Sequence, residues 1–225
     1  MKNFNLISFI GIIFAMGIVT TFGQASAAVI YQSASLGPAD CSAGGSILDN
    51  TQFLGARFSL GSTTTLTGVG GRVCGSSGAD DFFAAILPLT GPGALPGFDP
   101  LNLISNALAS ATFVPGDAGG DVTIPFSFTL GPGNYALVFG AGLLGTNGFG
   151  WMPETNTDLP GASYFFAGVD SSGGTSSWNE DGFINTRFFV TADASTNPIP
   201  EPATALLVLL GIGMTAWGRR GRHPV

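Results

Sequence analysis

The segment Val122–Leu130 alternates strictly between apolar and polar side chains, and this period of two restricts the fold more than any other feature of the chain. Such alternation is typical of a β-strand that buries one face. Pro125 cannot donate a backbone hydrogen bond, so it predicts an edge strand or an unpaired position. Gly131–Asn134 is a turn signal before the apolar run Tyr135–Phe139, and the two runs together predict a β-hairpin.

Six further short runs have the same β character, and turns rich in glycine separate them. These runs are Ala56–Leu60, Thr64–Val69, Asp81–Leu87, Ala107–Val114, Ser163–Ala167 and Phe183–Val190. Leu101–Ser105 predicts one helical turn, and no sustained helical period occurs elsewhere between residues 28 and 190. The sequence therefore predicts an all-β domain over residues 28–190, an antiparallel β-sandwich of jelly-roll type.

The N-terminus has the three parts of a secretory signal peptide. Lys2 supplies a positive charge, residues 4–19 are mostly apolar, and Ala25-Ser26-Ala27 precedes Ala28 as a small-residue cleavage site. The pattern predicts that residues 1–27 are a signal peptide that signal peptidase removes before Ala28. A retained N-terminal membrane anchor is the alternative interpretation.

The C-terminus carries a second targeting pattern. Small polar residues over 191–197 predict a linker, and three prolines within residues 198–202 then keep the backbone extended. Residues 203–218 carry no charge, and as a helix they would span about 24 Å at about 1.5 Å per residue. Arginines at 219, 220 and 222 predict that the end of this transmembrane helix faces the cytoplasm. A buried core helix and a permanent tail anchor are the alternatives.

Residues 198–225 resemble the PEP-CTERM sorting domain. The resemblance rests on Pro200, Glu201 and Pro202, on the apolar run, and on Arg219 and Arg220. It implies an exosortase in the inner membrane of a Gram-negative bacterium, removal of the hydrophobic tail, and delivery to the cell surface or to an exopolysaccharide or biofilm matrix. The same segment is also called an ice-binding-protein C-terminal domain, a label from which ice binding does not follow.

The charge of the exported body excludes a polyanionic partner. Between residues 28 and 197 there are thirteen acidic residues, no lysine, and three arginines at positions 57, 72 and 187. Nucleic-acid binding depends on clustered basic side chains, so no nucleic-acid partner is expected. A neutral polysaccharide or a bound cation suits this surface better.

The sequence does not predict an enzyme. The single histidine, His223, lies beyond the apolar tail, so the exported body cannot form a site that depends on histidine. Paired carboxylates are the remaining catalytic option, with candidates at Asp80-Asp81, Glu154 and Glu180-Asp181. Neighbouring residues in a strand point to opposite faces, so neither adjacent pair is a catalytic dyad if it is extended.

Two tryptophans are candidates for ligand binding. Trp151 and Trp178 lie in segments rich in glycine and asparagine, where an exposed indole would stack on a sugar ring while Asn179 and Glu180 donate and accept hydrogen bonds. The alternative is that both side chains pack into the core or over the ends of the sandwich. Oxygen-rich segments at Asp40, at 49–50 and at 170–172 are weak candidates for Ca²⁺; their spacing matches no EF-hand, so no metal site or cofactor is assigned.

Three interpretations of function follow. The first is a structural protein of the cell surface or extracellular matrix, which passes transiently through the inner membrane. The second is a carbohydrate-binding module that uses the tryptophans. The third is a glycan-active enzyme. Composition and motifs favour the first.

Cys41 and Cys74 are the only cysteines of the chain. An even pair in an exported protein predicts a disulfide, and a reactive or metal-binding thiol pair is the alternative. Closing a loop of about 34 residues would stabilise the fold by roughly 3–4 kcal/mol, because the crosslink restricts the unfolded chain.

Mass mapping without reduction should therefore recover one peptide pair that joins Cys41 to Cys74. The double variant Cys41→Ser/Cys74→Ser should lose about 3–4 kcal/mol in its free energy of unfolding, measured by urea titration. Free thiols at both positions in the exported protein would contradict the prediction.

Overall fold

A computed structural model of the chain describes residues 27–35, 41–42, 44–77, 80–115, 120–154, 157–170, 176–181 and 185–193. The strands are β1 (Ala27–Gln32), β2 (Gly45–Leu48), β3 (Gln52–Leu60), β4 (Thr64–Arg72), β5 (Cys74–Gly75), β6 (Phe82–Leu89), β7 (Ala109–Phe113), β8 (Asp121–Leu130), β9 (Gly133–Gly140), β10 (Gly150–Pro153), β11 (Tyr164–Gly168), β12 (Ser177–Asp181) and β13 (Phe188–Asp193). A 3₁₀ turn (Pro100–Asn102) and a one-turn helix, α1 (Leu103–Asn106), stand where one helical turn is predicted. The all-β class is confirmed.

The strands form three antiparallel sheets. A four-stranded sheet has the order β1-β13-β4-β8, a six-stranded sheet has the order β12-β11-β3-β9-β6-β7, and a small sheet has the order β2-β10-β5. Without the small sheet and the β11–β12 pair, eight strands remain. If these eight strands are counted from first to eighth along the chain, the four-stranded sheet has the spatial order first, eighth, third, sixth (β1-β13-β4-β8). The rest of the six-stranded sheet has the order second, seventh, fourth, fifth (β3-β9-β6-β7).

The predicted hairpin of β8 and β9 is wrong. β8 pairs with β4, from Thr64↔Leu130 to Arg72↔Asp121, whereas β9 pairs with β3 and β6 in the other sheet. The turn after Leu130 therefore carries the chain from one sheet to the other. Burial explains the difference: β8 alternates between buried and exposed residues, whereas the second half of β9 is buried on both faces and needs a central position. β8 is an edge strand, as Pro125 predicts.

A first hydrophobic cluster fills the space between the two large sheets. Ile124 and Phe126 of β8 and Phe188 of β13 meet Leu137 and Phe139 of β9 in this cluster. A second cluster, which we call the outer cluster, covers the opposite face of the six-stranded sheet, and its members include Phe53, Phe83, Val138, Phe165 and Leu103 of α1. The central strands of the six-stranded sheet are thus buried on both faces.

The domain is longer at both ends than the predicted range 28–190. β13 continues through Asp193, three residues into the predicted linker, because Ala192 is buried and pairs with Leu66 of β4. β1 begins at Ala27, which pairs with Asp193. Within the described ranges no helix is long and apolar enough to span a membrane, and residues 203–218 lie outside those ranges.

Five strands have no counterpart in the sequence prediction, and three of them build the small sheet. β2 and β5 flank β10, where Trp151 pairs with Cys74 on one side and with Ile47 on the other. Cys74 forms a disulfide with Cys41, with the two Cα atoms 5.8 Å apart. These strands have two to four residues each, which is too short for a period of two to stand out.

A substitution at Gly55 tests how closely the strands of the six-stranded sheet are packed. It lies opposite Phe165 on β11, and a Cβ atom at position 55 would collide with the aromatic ring. We expect Gly55→Ala to lower the free energy of unfolding by about 1–3 kcal/mol, because the ring must leave its position. Urea titration measures the change.

Gly168→Ala is the matched control, since Gly168 lies on the same β3–β11 ladder with nothing within 4 Å of the added carbon. Its free energy of unfolding should change by less than about 0.5 kcal/mol. Equal losses in the two variants would contradict the proposed contact.

Candidate functional site

The first and last strands bring the two ends of the described chain together. Ala27 pairs with Asp193, and the β3–β4 turn after Leu60 lies at the same end of the sandwich, as does the Thr64↔Leu130 pair. We call this the tail end. At the opposite end, which we call the loop end, lie Gly140 and the chain turns that precede β3 and follow β9 and β11.

The targeting residues are only partly within the described chain. Ala27 and Ala28 are exposed at the start of β1, and the predicted signal-peptidase site lies between them, after the first residue of the strand. Ala25 lies outside the described residues. So do the sorting residues Pro200, Glu201, Pro202, Arg219 and Arg220.

The two tryptophans lie in strands rather than in the predicted loops, and in different sheets. Trp178 is in edge strand β12, where its indole N–H donates to the Phe98 carbonyl at 2.7 Å. Its ring packs edge-on against Phe165 at 5.4 Å and Phe98 at 6.4 Å between centroids. Trp151 is half-buried in the small sheet, and its indole nitrogen is buried without a hydrogen-bond partner. The structure therefore does not bring the two indoles into one site.

Glu180 forms an ion pair with Arg57, with 2.6 Å between Oε1 and Nη2. Arg57 is only 4% exposed, and it also donates to the Ala94 carbonyl at 2.9 Å and to the Ser163 hydroxyl at 2.7 Å. Its guanidinium lies 5.0 Å from the centre of the Phe165 ring. Glu180 thus neutralises a buried charge. Asn179 donates to the carbonyl and hydroxyl of Ser177 in the same strand.

All three arginines of the body are buried. Arg187 pairs with Asp121 at 2.8 Å and donates to Gln32 at 2.9 Å, and Arg72 is 3% exposed. In the part of the chain that the structure describes, no basic side chain is therefore exposed. Such a surface repels polyanions more strongly than the net charge alone suggests. Sequence reasoning missed this arrangement, although isolated arginines in an acidic, β-rich body are a signal for buried ion pairs.

The loop end contains a cavity of about 310 Å³. Phe53, Leu101, Leu143 and Val169 provide an apolar lining, and Asn50 and Asp170 provide polar groups. We call it the loop-end cavity. Sequence reasoning missed it because its residues come from four separate segments.

A tight turn forms one wall of the loop-end cavity. The Gly142 amide donates to the Thr146 carbonyl at 2.9 Å, and the Thr146 amide donates back to the Leu143 carbonyl at 3.0 Å. Leu144 has a φ of 56°, a conformation that costs a leucine about 1 kcal/mol or more. A Cβ atom on Gly142 would collide with Asn50, so only glycine permits this close approach. The wall is therefore fixed in place before any ligand binds.

Of the candidate calcium residues, Asp49 holds a turn, and residues 171–172 lie outside the described chain. One Asp49 carboxylate oxygen accepts from the Thr51 amide at 2.7 Å, the Thr51 hydroxyl at 2.8 Å and the Gln52 amide at 2.9 Å. Among the described residues no group of three or more side chains could hold a metal ion, and Asp40 lies outside them.

Several titratable groups have shifted pKa values, and each shift has a structural cause. Burial raises the pKa of the Tyr31 and Tyr164 hydroxyls, and the neighbouring Asp158 raises both further. Slight burial opposes ionisation of Asp80, but hydrogen bonds from Ser77, Ser76 and Phe149 outweigh it and lower the pKa of that carboxyl. Tyr164 donates to Asp158 and so fixes the segment before β11. The hydrogen bonds of Asp80 hold the segment that follows β5.

Comparison with protein families identifies the C-terminal segment. Residues 198–222 match the PEP-CTERM protein-sorting motif, which confirms the resemblance drawn from Pro200, Glu201, Pro202 and the terminal arginines. The motif implies exosortase-dependent export to the cell surface. No curated protein matches the chain.

The contacts of Trp178 predict that its loss damages stability. We expect Trp178→Ala to lower the free energy of unfolding by roughly 2–3 kcal/mol, somewhat below the range for a fully buried tryptophan, because Phe98 and Phe165 lose their packing partner. Trp178→Phe retains the packing and should lose about 1 kcal/mol, the contribution of the hydrogen bond to Phe98. Urea titration followed by circular dichroism measures both values. A Trp178→Ala protein as stable as the parent would show that the indole is not part of the core.

Proposed function

We propose that this chain is a structural protein of the bacterial cell surface or exopolysaccharide matrix, released from a transient membrane anchor by an exosortase. The observation that carries the proposal is the sorting motif at residues 198–222, which follows a folded domain that ends at Asp193. Signal peptidase would remove residues 1–27, and the exosortase would then act on the C-terminal segment. The pairing of Ala27 with Asp193 brings the start of β1 and the end of β13 together at the tail end of the domain.

We infer that the exported domain is a jelly roll. In that fold eight strands form two Greek keys whose strands alternate between two facing sheets. The first-eighth-third-sixth and second-seventh-fourth-fifth orders of the two large sheets support this inference. The β11–β12 pair is then an addition at one edge of the second sheet. A jelly roll serves binding and structural roles alike, so the fold alone selects no activity.

A structural role fits the acidic side chains better than catalysis does. Asp49 caps a turn, Asp80 closes the loop after β5, and Glu180 neutralises Arg57. Each of these carboxylates holds the fold together at a different place. The proposal therefore assigns no catalytic residue and no cofactor.

Carbohydrate binding is the second candidate function, and the loop-end cavity favours it. Because the arginines are buried, the exposed charge of the described body is acidic, and a neutral polysaccharide is the matrix polymer that it would repel least. This candidate function does not depend on Trp178, whose ring packs against the outer cluster.

Intact-mass measurement of the protein recovered from the producing cells tests the main proposal. We expect a species that begins at Ala28 and lacks residues 205–225. The triple variant Pro200→Ala/Glu201→Gln/Pro202→Ala should retain the tail and remain with the membrane fraction, because the exosortase no longer recognises it. Cells without the exosortase should give the same result with the unaltered chain. A released parent protein that still carries residues 205–225 would refute the processing step.

A further inference from the structure

We propose that the loop-end cavity binds one unit of a neutral glycan, so that the domain attaches to matrix polysaccharide by the end opposite its sorting tail. This inference rests on the proposed location at the cell surface or in the matrix. It adds the class of ligand that the domain would bind there. Three observations carry it: the composition of the lining, the fixed wall, and the position of the cavity relative to the chain ends.

The lining suits a sugar ring. Pyranose rings present apolar C–H groups on their faces and hydroxyl groups around their edge. The cavity offers the exposed Leu101 and the half-buried Leu143 to the first kind of surface, and the exposed Asn50 amide to the second; Phe53, which is buried, and Asp170 are also part of the lining. Its volume of about 310 Å³ lies at the lower end of the range of about 300–1,000 Å³ for ligand pockets, so the site takes one small unit of a chain.

The fixed wall favours binding. The Gly142–Thr146 turn is closed by three hydrogen bonds, two between backbone groups and one from the Thr146 hydroxyl to the Leu143 carbonyl at 2.7 Å. A preformed site loses less conformational entropy when a ligand binds. The turn requires Leu144 to adopt a left-handed backbone conformation, which costs free energy. Backbone strain of this kind is concentrated at functional sites.

Charge selects the ligand class. The cavity contains one carboxylate and no basic group, and the described surface exposes no arginine or lysine. An acidic glycan would therefore be repelled, whereas a neutral one would exchange hydrogen bonds with water for hydrogen bonds with Asn50. The position of the cavity completes the inference. The start of β1 and the end of β13 lie at the opposite end of the domain, so neither of them covers the loop end.

Calorimetric titration of the protein recovered from cells, with its mass recorded first, tests the inference. The probes are the neutral hexasaccharides of β-1,3-glucan, β-1,4-glucan and α-1,4-glucan, with an alginate hexasaccharide as the acidic comparison. We expect at least one neutral probe to bind saturably with a dissociation constant near or below about 1 mM, and the acidic probe not to bind. Because the mass reports processing separately, unprocessed protein that binds would refute only the sorting proposal.

Matched variants locate the site. Asn50→Ala should raise the dissociation constant about tenfold, which corresponds to the loss of a hydrogen bond, while Asn147→Ala, exposed on the neighbouring turn but outside the lining, should leave it unchanged. Leu101→Ala should weaken binding, and Leu108→Ala, a similarly exposed leucine outside the cavity, should not. Because Leu101 is exposed, its variant stays informative even if Asn50→Ala fails to fold. The proposal is overturned if no neutral probe binds saturably up to about 10 mM, or if each test variant behaves like its control.

Discussion

Aromatic rings packed over strand glycines are the interaction on which this fold depends. A Cβ atom on Gly55 would collide with the ring of Phe165, one on Gly70 with Phe189, and one on Gly140 with both Phe53 and Phe83. Each pair places a large ring in the space that a missing side chain leaves on a neighbouring strand. This arrangement lets the central strands of the six-stranded sheet bury both faces with few helices to cover them. Three glycines and four phenylalanines thus take part in one kind of packing.

The sequence pattern predicted where most long strands lie, but not how they pair. Alternation identified β8 correctly, and Pro125 correctly placed it at an edge. The hairpin with β9 failed because a short turn after a strand has the same signature whether the chain returns to the same sheet or crosses to the opposite one. What separates the two cases is burial on both faces of β9, which depends on the segment around α1 folding over the outer cluster. Residues distant in the sequence decide whether both faces of β9 are buried, so the local sequence pattern does not show it.

Site prediction had the same limit. The sorting residues could be recognised because they are contiguous and their order carries the signal. The loop-end cavity could not, since Asn50, Leu101, Leu143 and Asp170 meet only through the sheet topology. For Trp178 the glycine-rich surroundings suggested an exposed loop, whereas the residue lies in edge strand β12 and its indole packs edge-on against Phe98 and Phe165.

The placement of charge connects the fold to its surroundings. A domain with three arginines would ordinarily expose them for solubility, but here Arg57 and Arg187 each form an ion pair within the fold and donate to backbone carbonyls. Removing one partner of such a pair would leave a buried charge, which is costly, so the pairs help to fix the strand arrangement. The outward result is an acidic surface that repels polyanions and other copies of itself. Among the described residues the loop-end cavity is lined mostly by uncharged side chains, and it lies at the end of the domain opposite Asp193.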